Sequence, residues 1–283
     1  MRVSIYIPTH NRLDLLKKAI DSALQQTHAD VEVIVVNDGS RDGTDQYLIE
    51  RAQGDPRLLY INKATAEGAP KARNAAIKMA TGAFITGLDD DDVFEPTRVE
   101  AFIKYWELLT GLGIQPACLY SQDVIIANGV KVRTSGKRGS VSFTDLIEFN
   151  YIGNQIFAPK EHFIGAGLFD ESLPAWQDLE FFMRVLAKYG QAYLLDLPTQ
   201  LYDDSPRVDR ISVKSEKKIR DAFRIVSTKH ASQSPRGQQL LMLRVFSPFY
   251  GVRPTLRDIW KFMRLGFWPQ GMLRMLREAC RKA

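Results

Sequence analysis

VEVIVVNDGS, residues 31–40, decides the fold class. Residues 31–36 are almost wholly apolar and β-rich, as expected of a strand covered on both faces. Asn37-Asp38-Gly39-Ser40 then ends the run in turn-forming residues. Upstream, residues 3–7 form a second such run. Between the two, Leu16, Ala19, Ile20, Ala23 and Leu24 recur at helical spacing, with Asn11 placed to cap the helix. Downstream, the spacing predicts a helix over 42–52, a strand over 58–61, a helix over 70–80 closed by Gly82, and a strand over 84–88. Strands alternating with helices indicate a parallel α/β sheet. After residue 92 the pattern becomes mixed α+β. A helix is expected over 96–109, a hairpin over 119–127 and 130–133 turning at Asn128-Gly129, a helix over 179–189 and a strand over 192–195.

The chain has 283 residues, enough for a sizeable core without disulfide or metal staples. Hydrophobic residues at 45% and charged residues at 25% exclude a mainly disordered chain. Two distant cysteines, Cys118 and Cys280, exclude a disulfide framework and fit a reducing compartment. No run approaches the ~18 apolar residues of a membrane span, and the N-terminal apolar run is too short for a secretory signal. A cytoplasmic protein is expected, at most resting on the cytoplasmic face of a membrane.

The net charge of +5 is unevenly placed. Residues 231–283 hold ten Lys/Arg and two acids, a charge of +8, which leaves −3 for residues 1–230. Three segments are therefore expected: 1–92, 93–230 and a basic, aromatic, helical tail at 231–283. Two helical patches, 256–265 and 272–281, carry apolar stripes: Leu256, Ile259, Trp260 and Met263, then Leu273, Leu276 and Cys280. Such stripes beside cations suit binding to anionic lipid. They equally suit packing on the catalytic body or on a second subunit, so a homo-oligomer is open. Nucleic acid is not expected as a partner, because the cleft-facing motifs are acidic.

Three strand ends deliver polar groups to one rim, where open α/β sheets bind ligands. They are Pro8-Thr9-His10-Asn11-Arg12, Asn37-Asp38-Gly39-Ser40 and Asp89-Asp90-Asp91-Asp92. Adjacent carboxylates repel, so an Asp run at a strand end points to a bound cation. Taken alone, the run also suits a solvated turn. The histidines share no ligand spacing, and there is no P-loop, Gly-x-Ser-x-Gly or dinucleotide fingerprint.

The blocks IPTHNR, VVNDGSRDGT, GAPKARNAAIKMATGAFITGLDDDD and WQDLEFFMRV resemble the family 2 glycosyltransferases, over about residues 1–225. The resemblance implies a GT-A-type, Rossmann-like mixed sheet. A nucleotide-sugar-binding subdomain occupies 1–92, and an acceptor-binding subdomain with the catalytic base occupies 93–230. It implies transfer from a nucleotide diphosphate sugar, usually with inversion and assisted by Mg2+ or Mn2+. Within the family it is nearest to small non-processive enzymes of lipopolysaccharide or exopolysaccharide synthesis, a dTDP-rhamnose transferase among them. The acceptor would be a glycan or a lipid-linked sugar.

Carried across by motif, Pro8, Thr9 and Arg12 match the loop that contacts the nucleotide. Asp38 matches the acceptor of N3–H of uracil or thymine, a pairing that cytosine cannot make. Arg73 matches the arginine near base and diphosphate; on its own it also reads as a surface helix charge. Asp89 and Asp91 match the outer positions of Asp-x-Asp, with Asp89 near the ribose and Asp91 on the metal. Asp90 and Asp92 support them. Asp178 matches the catalytic base, although an aspartate here also suits a helix start. Relatives often have Glu-Asp where this chain has Gln177-Asp178. Trp176 offers either a flat face to a sugar or simple core packing. Relatives often carry a histidine in the loop matching 202–212; here Asp204, Asp209 or Arg210 would have to stand in. A sugar nucleotidyltransferase, which would want a glycine-rich basic loop after the first strand, and a non-catalytic metal- or carbohydrate-binding module are the competing readings.

Overall fold

The computed structural model describes residues 1–205 and 215–280. The first half alternates as expected: β1 Val3–Thr9, α1 Leu13–Leu24, β2 Val31–Asn37, α2 Thr44–Gly54, β3 Leu58–Asn62, α3 Ala69–Met79 and β4 Phe84–Gly87. There follow β5 Val93–Phe94, α4 Arg98–Gly111, β6 Cys118–Ala127, β7 Val130–Thr134, β8 Ser140–Val141, α5 Phe143–Glu148, β9 Phe157–Pro159 and α6 Lys160–Gly165. The remainder is α7 Gln177–Tyr189, β10 Ala192–Asp203, α8 Glu216–His230, α9 Pro235–Val245, α10 Leu256–Leu265 and α11 Pro269–Cys280.

The strands form one mixed sheet in the order β3-β2-β1-β4-β9-β6-β10-β5, with β7 on β6 and β8 on β10. The pairs β3-β2, β2-β1 and β1-β4 are parallel. Antiparallel β9 joins β4 to β6, and β10 runs parallel to β6. Every residue of β2 is buried, which accounts for its unbroken apolar sequence. Leu16, Ala19, Ile20 and Ala23 of α1 pack with Ile5, Ile7, Val33 and Val35 in one core. Burial of each such Val, Ile or Leu side chain contributes roughly 1.5–3 kcal/mol.

The chain divides into two units. A sheet unit comprises Met1–Phe143, Tyr151–Glu171 and the stretch from Arg184 through β10. A helical unit gathers Thr144–Asn150, Ser172–Met183 and the described residues from Ser215 on. These limits differ from the expected breaks at 92 and 230. Residues after 230 pack onto other parts of the helical unit. The Arg244 guanidinium donates to the carbonyl of Leu146 (2.8 Å), and Arg220 of α8 grips Asp258 of α10 with two bonds of 3.0 Å. Among the described residues, no helix is long and apolar enough to cross a membrane.

Local expectations also change. Asn11 does not cap α1. It sits in the left-handed region (φ 54°), and its side-chain oxygen accepts the N–H of Arg41 (2.7 Å). The N–H of Leu13 donates instead to Asp42 (2.9 Å). The late strand runs on from Leu195 to Asp203 because register shifts on either side of Pro198 absorb its missing N–H. Cys118 lies in the core and burial pushes its thiol up, whereas Cys280 is exposed.

At the end of the sheet opposite the Asp run, buried Glu32 accepts from the Ser4 hydroxyl, the Thr81 N–H and hydroxyl, and the Gly82 N–H. Burial alone would raise its pKa; the hydrogen bonds outweigh burial and hold it below the ordinary glutamate value. The unfolded chain therefore takes up this proton first as pH falls. The stabilisation is complete above the unfolded-state value and is lost as pH drops through the folded one. Glu32→Ala should cost about 2 kcal/mol at neutral pH by stranding buried donors. Denaturant melts of both proteins should show that gap narrowing in the acid range. A gap that does not change with pH would contradict this account.

Candidate active site

In the sheet unit, the parallel register of β1, β2 and β4 brings their carboxyl ends together. Thr9 pairs with Asn37, and Tyr6 pairs with Gly87. The Asp run leaves β4 with alternate residues turned inward. The side chains of Asp89 and Asp91 are 24% and 20% exposed, whereas that of Asp90 is 6% exposed and Asp92 is fully buried. The outer positions of Asp-x-Asp are thus the accessible ones.

Each carboxylate has specific partners. Asp89 accepts from Arg73 (3.0 Å), Gln155 (3.1 Å) and Asn154 (2.9 Å). Asp90 accepts from the Thr9 hydroxyl (2.8 Å) and from Arg12 (3.1 Å). Burial outweighs these contacts and raises its pKa to about 6. Arg12 also reaches Asp91 (3.4 Å). Asp92 accepts from Asn154 (3.0 Å) and Gln200 (2.7 Å). Burial, then the charges of Asp89 and Asp91, push its pKa well above the ordinary range. Arg12 and Arg73 are therefore the counter-charges of the run, and Arg73 also lies over the Phe169 ring at 5.3 Å.

Asp38 closes the end of β2 and is buried. It accepts the backbone N–H groups of Glu67 (3.0 and 3.1 Å) and Gly68 (2.7 Å) and pairs with Lys63 at 3.3 Å. It thereby fixes the entry to α3, the helix that carries Arg73. A carboxylate offers about four acceptor sites, so a base bound at Asp38 would have to displace the Lys63 ammonium. Pro8, half-buried, sits in register with Val36 at the top of β1. His10 touches the Asp38 carbonyl at 2.7 Å.

Sequence reasoning missed Asn154, Gln155, Gln200 and Lys63. They are scattered polar residues, 62 to 108 positions from Asp92 in the case of Asn154 and Gln200, and no spacing links them to the run. Gly87 was a hint: a Cβ there would come within 1.9 Å of the Gln155 side-chain oxygen and 2.4 Å of the Tyr6 ring.

In the helical unit, Asp178 lies in the first turn of α7 and lines a cavity of about 170 Å³. Asn150, Trp176, Arg244, Phe249 and Tyr250 share its walls. Trp176 is buried, with left-handed backbone (φ 61°), and its indole N–H donates to the Tyr250 oxygen at 3.0 Å. Its ring is thus mostly committed to packing. Burial chiefly raises the Tyr250 pKa. Gln177 turns back to donate to the Leu173 carbonyl (3.0 Å). Two residues past Asp178, fully buried Glu180 meets His230 (3.1 Å) and Lys229 (3.4 Å). By sequence, Arg244 and Tyr250 belong only to a basic, aromatic tail; the structure brings both to the wall beside Asp178. Asp204 follows β10, while Asp209 and Arg210 lie outside the described residues.

Comparison with known proteins agrees with the fold. The structure of S. aureus TarS 1–349 in complex with UDP-GlcNAc superposes with a TM-score of 0.71 at 18% identity, covering 94% of this chain and 79% of that one. The mannosyltransferase PcManGT of Pyrobaculum calidifontis, in complex with GDP-Man and Mn2+, gives 0.56 at 16% identity, covering 99% and 76%. The sheet is that of a GT-A glycosyltransferase.

The family described as Glycosyl transferase family 2 matches residues 4–159. The putative colanic acid biosynthesis glycosyl transferase WcaA of Escherichia coli K12 is 34% identical over 203 residues, covering 70% of this chain and 71% of that protein. An uncharacterized glycosyltransferase of Rickettsia bellii is 31% identical over 191 residues, and the match spans only 27% of its length. The chain belongs to glycosyltransferase family 2 and is a glycosyltransferase.

Because Gly87 leaves room for Gln155, Gly87→Ala should force that side chain off Asp89 and cost about 1–3 kcal/mol by overpacking. Thermal unfolding should register the loss. A melting point equal to wild type would mean that the close approach is not a constraint.

Proposed function

We propose that the protein transfers one sugar, with inversion, from a UDP- or dTDP-linked donor to a glycan or lipid-linked acceptor. The setting would be cell-surface polysaccharide synthesis on the cytoplasmic side. The observation that carries the donor site is the alternation in the Asp run. Two carboxylates reach solvent, while two others serve as internal struts. The similarity to WcaA supports an exopolysaccharide context, and a dTDP-rhamnose donor fits within it.

Among the described residues, no group of three or more His, Cys, Asp and Glu side chains is arranged to hold a metal. Two carboxylates plus phosphate oxygens and water nonetheless form the all-oxygen set that Mg2+ or Mn2+ accepts. Asp91 and Asp89 would hold that ion, which when bound neutralises charge on the departing diphosphate. Arg12 and Arg73 supply adjacent positive charge, and Thr9 is oriented by its bond to Asp90. Asp38 recognises N3–H of uracil or thymine as Lys63 gives way.

Asp178 acts as the general base. It takes the proton of the acceptor hydroxyl while that oxygen forms a bond to C1. The C1–O bond to the diphosphate breaks on the opposite face, and its electron pair leaves with the phosphate. The cavity wall of Trp176, Arg244 and Tyr250 orients the acceptor.

Asp178→Asn should lower turnover by about 10²–10⁴-fold with nucleotide affinity intact. Activity close to wild type would refute the base role. Asp91→Ala should abolish the gain in UDP or dTDP affinity that Mn2+ gives in calorimetry. A thermal-shift series with UDP-, dTDP- and GDP-sugars should favour the first two. Stabilisation by the GDP-sugar alone would remove the base-pairing role of Asp38.

A further inference from the structure

We propose that the outward faces of α10 and α11 dock the protein on an anionic lipid surface. The inference stands apart from the donor and acceptor roles above. A helix that merely packs on its own protein needs one apolar face. Each of these helices has two.

On α10, Phe262 turns inward and stacks on Trp268 (6.0 Å). Asp258, also buried, closes a capping box with Thr255 and pairs with Arg220. Away from that side, at i, i+4 and i+7, lie Leu256, Trp260 and Met263, which are 87%, 52% and 52% exposed. Phe267, 92% exposed, follows just beyond the helix. Arg257, Lys261 and Arg264 are exposed alongside this stripe, and the Arg264 guanidinium lies 4.7 Å from the Trp260 ring.

The pattern recurs on α11. Gly271 and Met275 are buried, and the glycine is required because a Cβ would meet the Trp268 ring at 2.2 Å. Leu273, Leu276 and Cys280, here at i, i+3 and i+7, are exposed, with Arg274 and Arg277 beside them. The two helices thus pack on the helical unit by one side and leave the second apolar side in solvent.

Charge decides the occupant. Arg253, Arg257, Lys261, Arg264, Arg274 and Arg277 are all exposed among the described residues of this stretch, whereas of its two acids Asp258 points inward and Glu278 is half-buried. A second copy of the chain seated on the same face would set these cations against their own duplicates. A nucleic acid would reward the cations but not the burial of Leu256, Met263 and Phe267. An anionic bilayer satisfies both, with rings at the headgroup level and guanidinium groups on the phosphates.

Flotation of the full-length protein with phosphatidylcholine vesicles, with and without phosphatidylglycerol, tests this. Wild type should float with the anionic vesicles and stay behind with the neutral ones. Lys261→Ala should lower partitioning about fivefold, the equivalent of about 1 kcal/mol per cation at the surface. Trp260→Glu combined with Phe267→Glu should lower it more than tenfold. Both positions are exposed, so unfolding midpoints should match wild type, which separates lost docking from lost folding. The proposal is overturned if wild type ignores anionic vesicles, or if both variants float as wild type does. A dimer that Trp260→Glu dissociates, without vesicle binding, would also overturn it and assign the face to a second copy.

Discussion

Four adjacent carboxylates repel one another, and the rim of the sheet unit is built to contain that repulsion. Turning alternate side chains inward separates the charges, but it buries two of them, which costs several kcal/mol per ion unless hydrogen bonds compensate. The buried pair is compensated by Thr9 at the end of β1 and Arg12 just after it, on Asp90, and by Asn154 before β9 and Gln200 on β10, on Asp92, while Arg73 on α3 and Gln155 hold Asp89. Asn154, Gln155 and Gln200 reach the run through β9, which inserts antiparallel between β4 and β6, and through the bulged register of β10. The requirement for glycine at 87 follows from the same crowding. Strand order, bulge and glycine thus meet at the rim where the acids leave β4.

How legible this was depended on the range of the interaction. Residues 31–36 declare a doubly covered strand locally, and the Asn128-Gly129 turn declares its hairpin through two residues with positive φ, 51° and 77°. The three residues of β9 carry too little pattern to be read, although they join the parallel half of the sheet to the rest. The strand expected over 192–195 runs on past Pro198, which sits at a bulge within it. The outer members of the Asp run were legible as a motif. Their supporting amides were not, because Asn154 and Gln200 find Asp92 only through the folded sheet. Asn11 suited a helix cap by residue type, yet the loop after β2 recruited it.

The two units place their acids in contrasting surroundings. Around Asp89–Asp92 the neighbours are guanidinium and amide groups, which hold charges by directed hydrogen bonds. Around Asp178 the walls include the rings of Trp176, Phe249 and Tyr250, with Arg244 as the nearby cation. The basic character of residues 231–283 is therefore not one property. Arg244 faces inward to the cavity and to α5 carbonyls, while the cations of α10 and α11 face outward.

The cysteines have a practical consequence. A thiol reacts as its thiolate, and burial holds Cys118 in the protonated form within β6. Cys280 is exposed at the end of α11, one turn beyond Leu276. The natural chain therefore offers a single position for a maleimide dye. A polarity-sensitive fluorophore attached there would report which medium touches the last helix, with no residue exchanged to install it.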